Sequence, residues 1–283
     1  MHDLSRAAIR AAFDRAARGY DEGAILQRTV ADQLLARFEW LRARPSVILD
    51  LGTGTGYALP RLRKRFPQSM VMGCDVAPAM IRRARRRRGL WRTSPLFVAD
   101  GERLPLARRG VDCIYSNLAF QWMDVSVAFP ECLRLLRPGG FLTFSTFGPD
   151  TLKELRAAWA EVDDRPHVHR FTDMHDVGDA LIEAGFADPV LDVEHYTLTY
   201  PHAVSALRDL KRIGAHNAYA GRFAGLTGKG RYRRFVEAYE RQRRDGRLPV
   251  TYEVVYGQAW YPDAPRMVAG EVRVPIADLA RRR

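Results

Sequence analysis

The chain has 283 residues, 47% of them hydrophobic, and carries a formal net charge of +12. That length suits one elaborated domain or two small ones, with enough apolar residues for a packed core. Apolar runs fall far short of the ~20 residues that span a bilayer, and Met1-His2-Asp3-Leu4-Ser5-Arg6 lacks a signal-type stretch. Cys74, Cys113 and Cys132 are odd in number and form no C-x-x-C, so they are expected to be reduced and buried in a cytoplasmic protein.

In chain order, residues 1–45 read as a helical cap, with apolar positions at Ile9, Phe13, Ile25, Val30, Leu34, Leu35 and Phe38. Val47-Ile48-Leu49-Asp50-Leu51 is then an apolar strand carrying one acid, and it opens into Gly52-Thr53-Gly54-Thr55-Gly56. Tyr57 to Arg63 reads as the first turns of a helix. Alternate glycines let the backbone turn tightly and leave room for a ligand against it. Dinucleotide folds use G-x-G-x-x-G at the same place. The spacing here is G-x-G-x-G with Asp50 two residues ahead, a pattern similar to S-adenosylmethionine-dependent methyltransferases. No Gly-Lys-Ser or Gly-Lys-Thr follows, which excludes a P-loop.

Three further strands meet matching residues at their ends. Met70 to Asp75 closes on a carboxylate 19 residues past Gly56, placed to accept ribose hydroxyls. NAD enzymes also put an acid there, so Asp75 alone does not discriminate. Leu96 to Gly101 brings Asp100, and Val111 to Asn117 leads into Leu118-Ala119-Phe120-Gln121-Trp122. A fifth strand, Phe141 to Thr146, follows the turn Arg137-Pro138-Gly139-Gly140. Helices over 78–88 and 125–136 between these strands predict a parallel sheet with crossover helices. Later come a helix over 174–184, a strand through 190–199, a basic helical stretch at 201–247 broken at Gly225-Leu226-Thr227-Gly228, and a long final strand over 249–260. The predicted organisation is a cap at 1–45, a core at 46–200 and 248–262, a helical lid inserted at 201–247, and a weakly patterned tail at 263–283.

All but four of the 45 basic residues are arginine. Arg82, Arg83, Arg85, Arg86, Arg87, Arg88 and Arg92 place seven positive charges in eleven residues with no acid between them. A solvated helix face would interleave glutamate, so an acidic partner, nucleic acid or protein, is implied. The aromatic interleaving of single-strand binding is absent.

Narrower motifs carry a family resemblance over about residues 10–261. They are Ala12-Phe13-Asp14-Arg15-Ala16-Ala17-Arg18-Gly19-Tyr20-Asp21 with Leu26-Gln27-Arg28, Ser116-Asn117-Leu118-Ala119-Phe120-Gln121-Trp122, and Thr151-Leu152-Lys153-Glu154-Leu155. To these are added Ala158-Trp159 with Val162-Asp163, His167-Val168-His169-Arg170-Phe171, Leu210-Lys211-Arg212-Ile213-Gly214-Ala215, and Leu248-Pro249-Val250-Thr251-Tyr252. Together they resemble the malonyl-acyl-carrier-protein O-methyltransferases of biotin synthesis, departing at Thr53 and Thr55, where Cys and Pro are frequent.

The resemblance implies a Rossmann-like class I methyltransferase of the α/β class, with a seven-stranded, mostly parallel sheet and helices on both faces. It implies methylation of the free malonyl carboxylate, giving an ester that enters fatty-acid-like elongation towards pimeloyl and biotin synthesis. S-adenosyl-L-methionine is the expected cofactor, held at Asp50, Gly52, Gly54, Gly56, Asp75, Val76, Asp100, Gly101, Asn117 and Leu118. Asp75 would take the ribose, Asp100 the adenine and Asn117 the methionine end, with Tyr20 and Arg28 closing over the methionyl part.

A carboxylate is ionised at neutral pH, so no general base is expected, only cations that hold the acceptor. Arg170 is the first candidate, with Lys211 and Arg212 behind it. His167 and His169 lack a third ligand nearby, so no metal is expected. The implied partner is an acidic acyl-carrier protein, with no membrane and no nucleic acid. Two alternatives stand beside this reading: a nucleic-acid methyltransferase, suggested by charge, and a respiratory-complex assembly factor of the same fold, similar at Gly148-Pro149-Asp150-Thr151-Leu152 and in the last strand.

Overall fold

The computed structural model of the protein describes residues 5–41, 43–87, 94–213 and 228–262. Arg88, Arg92, Gly214-Ala215, the 225–227 break and the 263–283 tail lie outside the described residues. Three helices open the chain: α1 (Arg6–Ala16), α2 (Tyr20–Gly23) and α3 (Ile25–Ala36). The Ser5 hydroxyl caps α1 by accepting from Ala8 N–H at 3.3 Å.

Strands and helices then alternate: β1 (Val47–Leu51), α4 (Leu59–Arg65), β2 (Met70–Asp75), α5 (Pro78–Arg87), β3 (Leu96–Val98), β4 (Val111–Asn117), α6 (Val125–Leu135) and β5 (Leu136–Phe147). They are followed by α7 (Lys153–Ala160), α8 (Met174–Glu183), β6 (Ala187–Tyr200), α9 (Ala203–Arg212), α10 (Lys229–Glu240) and β7 (Leu248–Trp260). The seven strands form one sheet in the order β3-β2-β1-β4-β5-β7-β6, and only β7 runs antiparallel to its neighbours. Order reverses between β1 and β4, and that switch point opens a crevice at the carboxyl ends of the strands.

Successive residues of the central strands feed opposite layers, as the two-residue period requires. Ile48 packs with Val30, Leu34 and Phe38 on one face, while Leu49 and Leu51 pack with Ala128, Phe129 and Cys132 on the other. Helices α9 and α10 occupy the connection between β6 and β7, and Ala206, Leu210, Phe235 and Tyr239 join the first of these layers. The insertion is therefore fused to the core. Cys74, Cys113 and Cys132 are free and buried. No helix among the described residues is long and apolar enough to cross a membrane.

Three boundaries differ from the sequence reading. The Arg137–Gly140 turn is absorbed into β5 as a bulge between the Val111–Leu136 and Cys113–Phe141 pairs, with Gly139 at φ +74°. β6 begins at Ala187 rather than Val190, because the final strand offers it partners almost end to end. β3 stops at Val98, which leaves Asp100 in the turn beyond the strand.

Candidate active site

The glycine loop is tied down from β2. Gly52 and Thr53 N–H groups both donate to Cys74 O at 2.9 Å, and Gly54 N–H donates to Asp75 Oδ2 at 3.0 Å. Gly52 sits at φ +74°, and a Cβ there would lie 2.5 Å from that of Ala119, so no other residue fits. Gly56 (φ +79°) serves packing instead: its added Cβ would press on Ala84 of α5 at 3.0 Å. Across the crevice, Leu118 follows β4 in the left-handed region (φ +50°), held by its N–H donating to both O and Oγ of Ser145 at 3.0 Å.

The resulting cleft encloses about 80 Å³. Its walls include Tyr20, Gly52, Gly54, Asp75, Val76, Gly101, Asn117 and Leu118, eight of the twelve cofactor residues expected from sequence. The other four lie elsewhere. Asp50 is buried under the loop, accepting from Thr53 Oγ1 at 2.6 Å, and Gly56 faces α5. Arg28 donates to the carbonyl of Asp21, which ties α3 to α2. Asp100 pairs with Arg6, so its carboxylate straps α1 to the β3 turn while Ala99 and Gly101 form the wall. Asn117 spends its side chain on scaffold, donating to Gln27 O at 3.0 Å and accepting from Ser145 Oγ at 2.9 Å.

Ile9, Phe13, Met80, Trp122 and Met123 also line the cleft. The sequence marked Ile9 and Phe13 as apolar positions of a helical cap without showing what they cover. Trp122 was legible only as part of a motif.

Two carboxyls meet at this cleft, Asp50 buried beneath it and Asp75 half-buried in its wall. Burial pushes Asp50 up to about 7, against the Thr53 hydrogen bond, and Asp75 up to about 6, against those from Ala77 and Gly54 N–H. Both values exceed the unfolded value of ~3.9, so the folded chain holds more protons than the unfolded one between about pH 4 and 7. Their stabilisation is complete below that window and is lost as pH rises through 6 to 7. The melting temperature of cofactor-free protein should therefore fall between pH 5 and pH 8. Asp75→Asn should flatten that slope; an equally steep fall in the variant would remove Asp75 as a source.

A second cavity of about 290 Å³ meets the cleft at Trp122, which lines both. Trp122 is braced edge-on by Phe13 at 5.4 Å and stacked with His169 at 6.0 Å. The remaining walls are largely apolar, with Phe147, Leu152, Leu155, Trp159, Phe171 and Tyr252 among them. Two of the motif segments build this wall together. Leu152 N–H donates to Thr251 O at 2.7 Å, and Glu154 accepts from Thr251 N–H at 3.0 Å, which anchors α7 on β7.

Of the three acceptor candidates, Lys211 lines this cavity and is its one fixed cation among the described residues. Arg170 does not. It is exposed and lines an adjoining groove, while its neighbours His169 and Phe171 face the cavity. Arg212 lies 3.7 Å from Asp209, outside both. Asp150, His195 and Glu253 bring possible metal ligands within 4.8 Å of one another, yet Lys153 already holds Asp150 at 2.8 Å and none of the three lines either space.

The strand order and the glycine loop over a switch-point cleft define a class I methyltransferase fold. Residues 49–144 match the methyltransferase domain family. A solved structure, the YcgJ protein of Bacillus subtilis, shares the fold at a TM-score of 0.59 and 16% identity, covering 82% of this chain and 100% of its own. Closer similarity comes from a malonyl-[acyl-carrier protein] O-methyltransferase of Gallionella capsiferriformans, 49% identical over 93% of both chains. Another of that name from Laribacter hongkongensis is 51% identical over 93% of this chain and 91% of its own. The chain belongs to the malonyl-[acyl-carrier protein] O-methyltransferase family.

Proposed function

We propose that this protein transfers the methyl group of S-adenosylmethionine to the free carboxylate of a malonyl thioester carried on an acyl-carrier protein. A carboxylate oxygen attacks the methyl carbon, the carbon–sulfur bond breaks, and its electron pair returns to sulfur. The products are the methyl ester and S-adenosylhomocysteine. No proton moves, because a carboxylate with pKa near ~4 is already ionised. The ester then suits fatty-acid-like elongation towards pimeloyl and biotin synthesis, and three buried reduced thiols fit a cytoplasmic setting.

The observation that carries this reading is the meeting at Trp122 of the glycine-loop cleft, which holds Asp75, and a largely apolar cavity with Lys211 on its wall. Asp75 takes the ribose: each carboxylate oxygen accepts one backbone N–H, at 3.0 Å from Gly54 and 2.8 Å from Ala77, and keeps a lone pair for a hydroxyl. Tyr20, Ile9 and Phe13 cover the cofactor from the N-terminal helices and keep water from the sulfonium. The test is transfer from labelled cofactor to malonyl-carrier protein, with RNA and unmodified protein as other acceptors. Label on the malonyl carboxyl is the expected result; label on RNA or a protein side chain alone would overturn the proposal.

The partner surface follows from where the arginines are spent. On α5, Arg83 donates to Arg18 O and Arg85 to Leu96 O, both at 2.9 Å, and Arg87 pairs with Asp21, which leaves Arg82 and Arg86 exposed without a side-chain partner among the described residues. Three of the five described arginines of the run are thus engaged within the chain. On α10, Lys229, Arg233 and Arg234 are exposed, and Phe235 of the same helix stacks on Trp159 of the cavity at 4.3 Å. An acidic carrier meets α10. Arg233→Glu with Arg234→Glu should raise KM for malonyl-carrier protein several-fold, more at low salt than high, because exposed charges are screened beyond about 8–10 Å. Malonyl-pantetheine lacks the carrier surface and serves as control. An equal effect from Arg82→Glu with Arg86→Glu would show attraction by net charge and no docking face.

A further inference from the structure

The groove that takes Arg170 borders the acceptor cavity, and Trp159, His167 and Val168 line both. His167 lies flat on Trp159 with ring centroids 3.8 Å apart and planes 10° from parallel, and Phe235 stacks on the opposite side. Trp159 and His167 thus form the partition between cavity and groove, backed by Phe235. Beyond it the groove presents Arg156, Arg165 and Arg170. Arg156 is fixed by donating to Pro149 O and Thr151 O, each at 2.9 Å, and its Nε is buried with no hydrogen-bond partner.

Two acids share the groove. Asp163 lies 2.7 Å from His167 Nε2 and 4.0 Å from Arg231, its buried Oδ2 without a hydrogen-bond partner, whereas Asp164 is exposed. Three guanidiniums and two carboxylates thus line the groove. Forked donors of this kind suit a phosphate better than a single point charge does.

We infer that this arginine groove holds the phosphate of the phosphopantetheine arm, whose thioester end reaches past the Trp159–His167 partition into the cavity. The inference rests on the malonyl-thioester reading. It gives Arg170 a role other than the one expected from sequence: it grips the arm and leaves the malonyl carboxylate to Lys211. Carrier protein and coenzyme A share this phosphate chemistry, so both present it to the same groove.

The test compares malonyl-pantetheine with malonyl-4′-phosphopantetheine, which differ by that one group, in wild type and in the double variant Arg165→Ala, Arg170→Ala. Wild type should favour the phosphorylated arm by about tenfold in kcat/KM, through KM. The variant should bring the ratio close to one. Arg165→Lys with Arg170→Lys should restore part of the preference, since the charge returns without the fork. A wild-type ratio near one, or a preference that survives in the alanine variant, overturns the inference and leaves the reaction intact. If wild type methylates neither thioester, it is the malonyl reading that fails, and the groove assignment falls with it.

Discussion

Gly52→Ala is expected to abolish measurable cofactor binding and methyl transfer. The new Cβ would sit 2.5 Å from the Cβ of Ala119, well inside contact distance, on a backbone at φ +74°. Left-handed backbone costs an alanine roughly 1–2 kcal/mol, and overpacking a tight contact typically adds about 1–3 kcal/mol. Relief requires moving either the glycine loop or the Asn117–Ala119 turn, and both are walls of the cleft. Gly54→Ala separates the two effects. Its Cβ meets nothing within 4 Å, so at φ +54° it carries only the left-handed cost of roughly 1–2 kcal/mol and the melting temperature should fall less than in Gly52→Ala, yet the methyl group projects from a residue that lines the cleft. Gly52→Ala should lower both melting temperature and affinity; Gly54→Ala should lower affinity first. Calorimetric titration beside thermal melts reads both quantities. Near-native affinity in Gly52→Ala would mean that the loop is not the cofactor's floor.

The sheet and the loop were legible because a parallel strand buried on both faces writes itself as a continuous apolar run, and its end as glycine or acid. Asp75, Gly52, Gly54 and Leu118 stood in such positions. Asp100 and Arg28 did not keep their expected places because their partners are remote or local in ways no period encodes. Arg6, 94 residues away, takes Asp100, and the carbonyl of Asp21 takes Arg28. The arginine run was visible as charge, but its spending on Arg18 O, Leu96 O and Asp21 is a tertiary fact.

The misplacement of Arg170 has a simpler cause. In the irregular segment after α7, neighbouring side chains leave on different sides, so His169 and Phe171 reach the cavity and Arg170 the groove. A motif names which residues matter together without fixing which wall each one builds. Lys211 lines the cavity because α9 gives it a direction: Ala206 and Leu210 of the same helix are buried in the core beside it.

Lys211→Ala should lower kcat/KM for malonyl thioester by about tenfold, at the lower end of what a charge-assisted hydrogen bond supplies, because the side chain is exposed and partly screened. The division between KM and kcat follows from the chemistry. The reactants are a carboxylate anion and a sulfonium cation; the products, a methyl ester and a thioether, are neutral at both reacting centres. Charge on the carboxylate therefore declines towards the transition state, and a cation beside it stabilises the ground state more than the transition state. Removing that cation should raise KM while kcat stays level or rises slightly. Lys211→Arg adds a fork and should tighten KM without raising kcat. Cofactor affinity, measured by calorimetry, should be unaltered in both variants because Lys211 lines only the acceptor cavity. A fall in kcat at constant KM would sink this assignment and point instead to a group that orients the carboxylate only as the methyl is transferred.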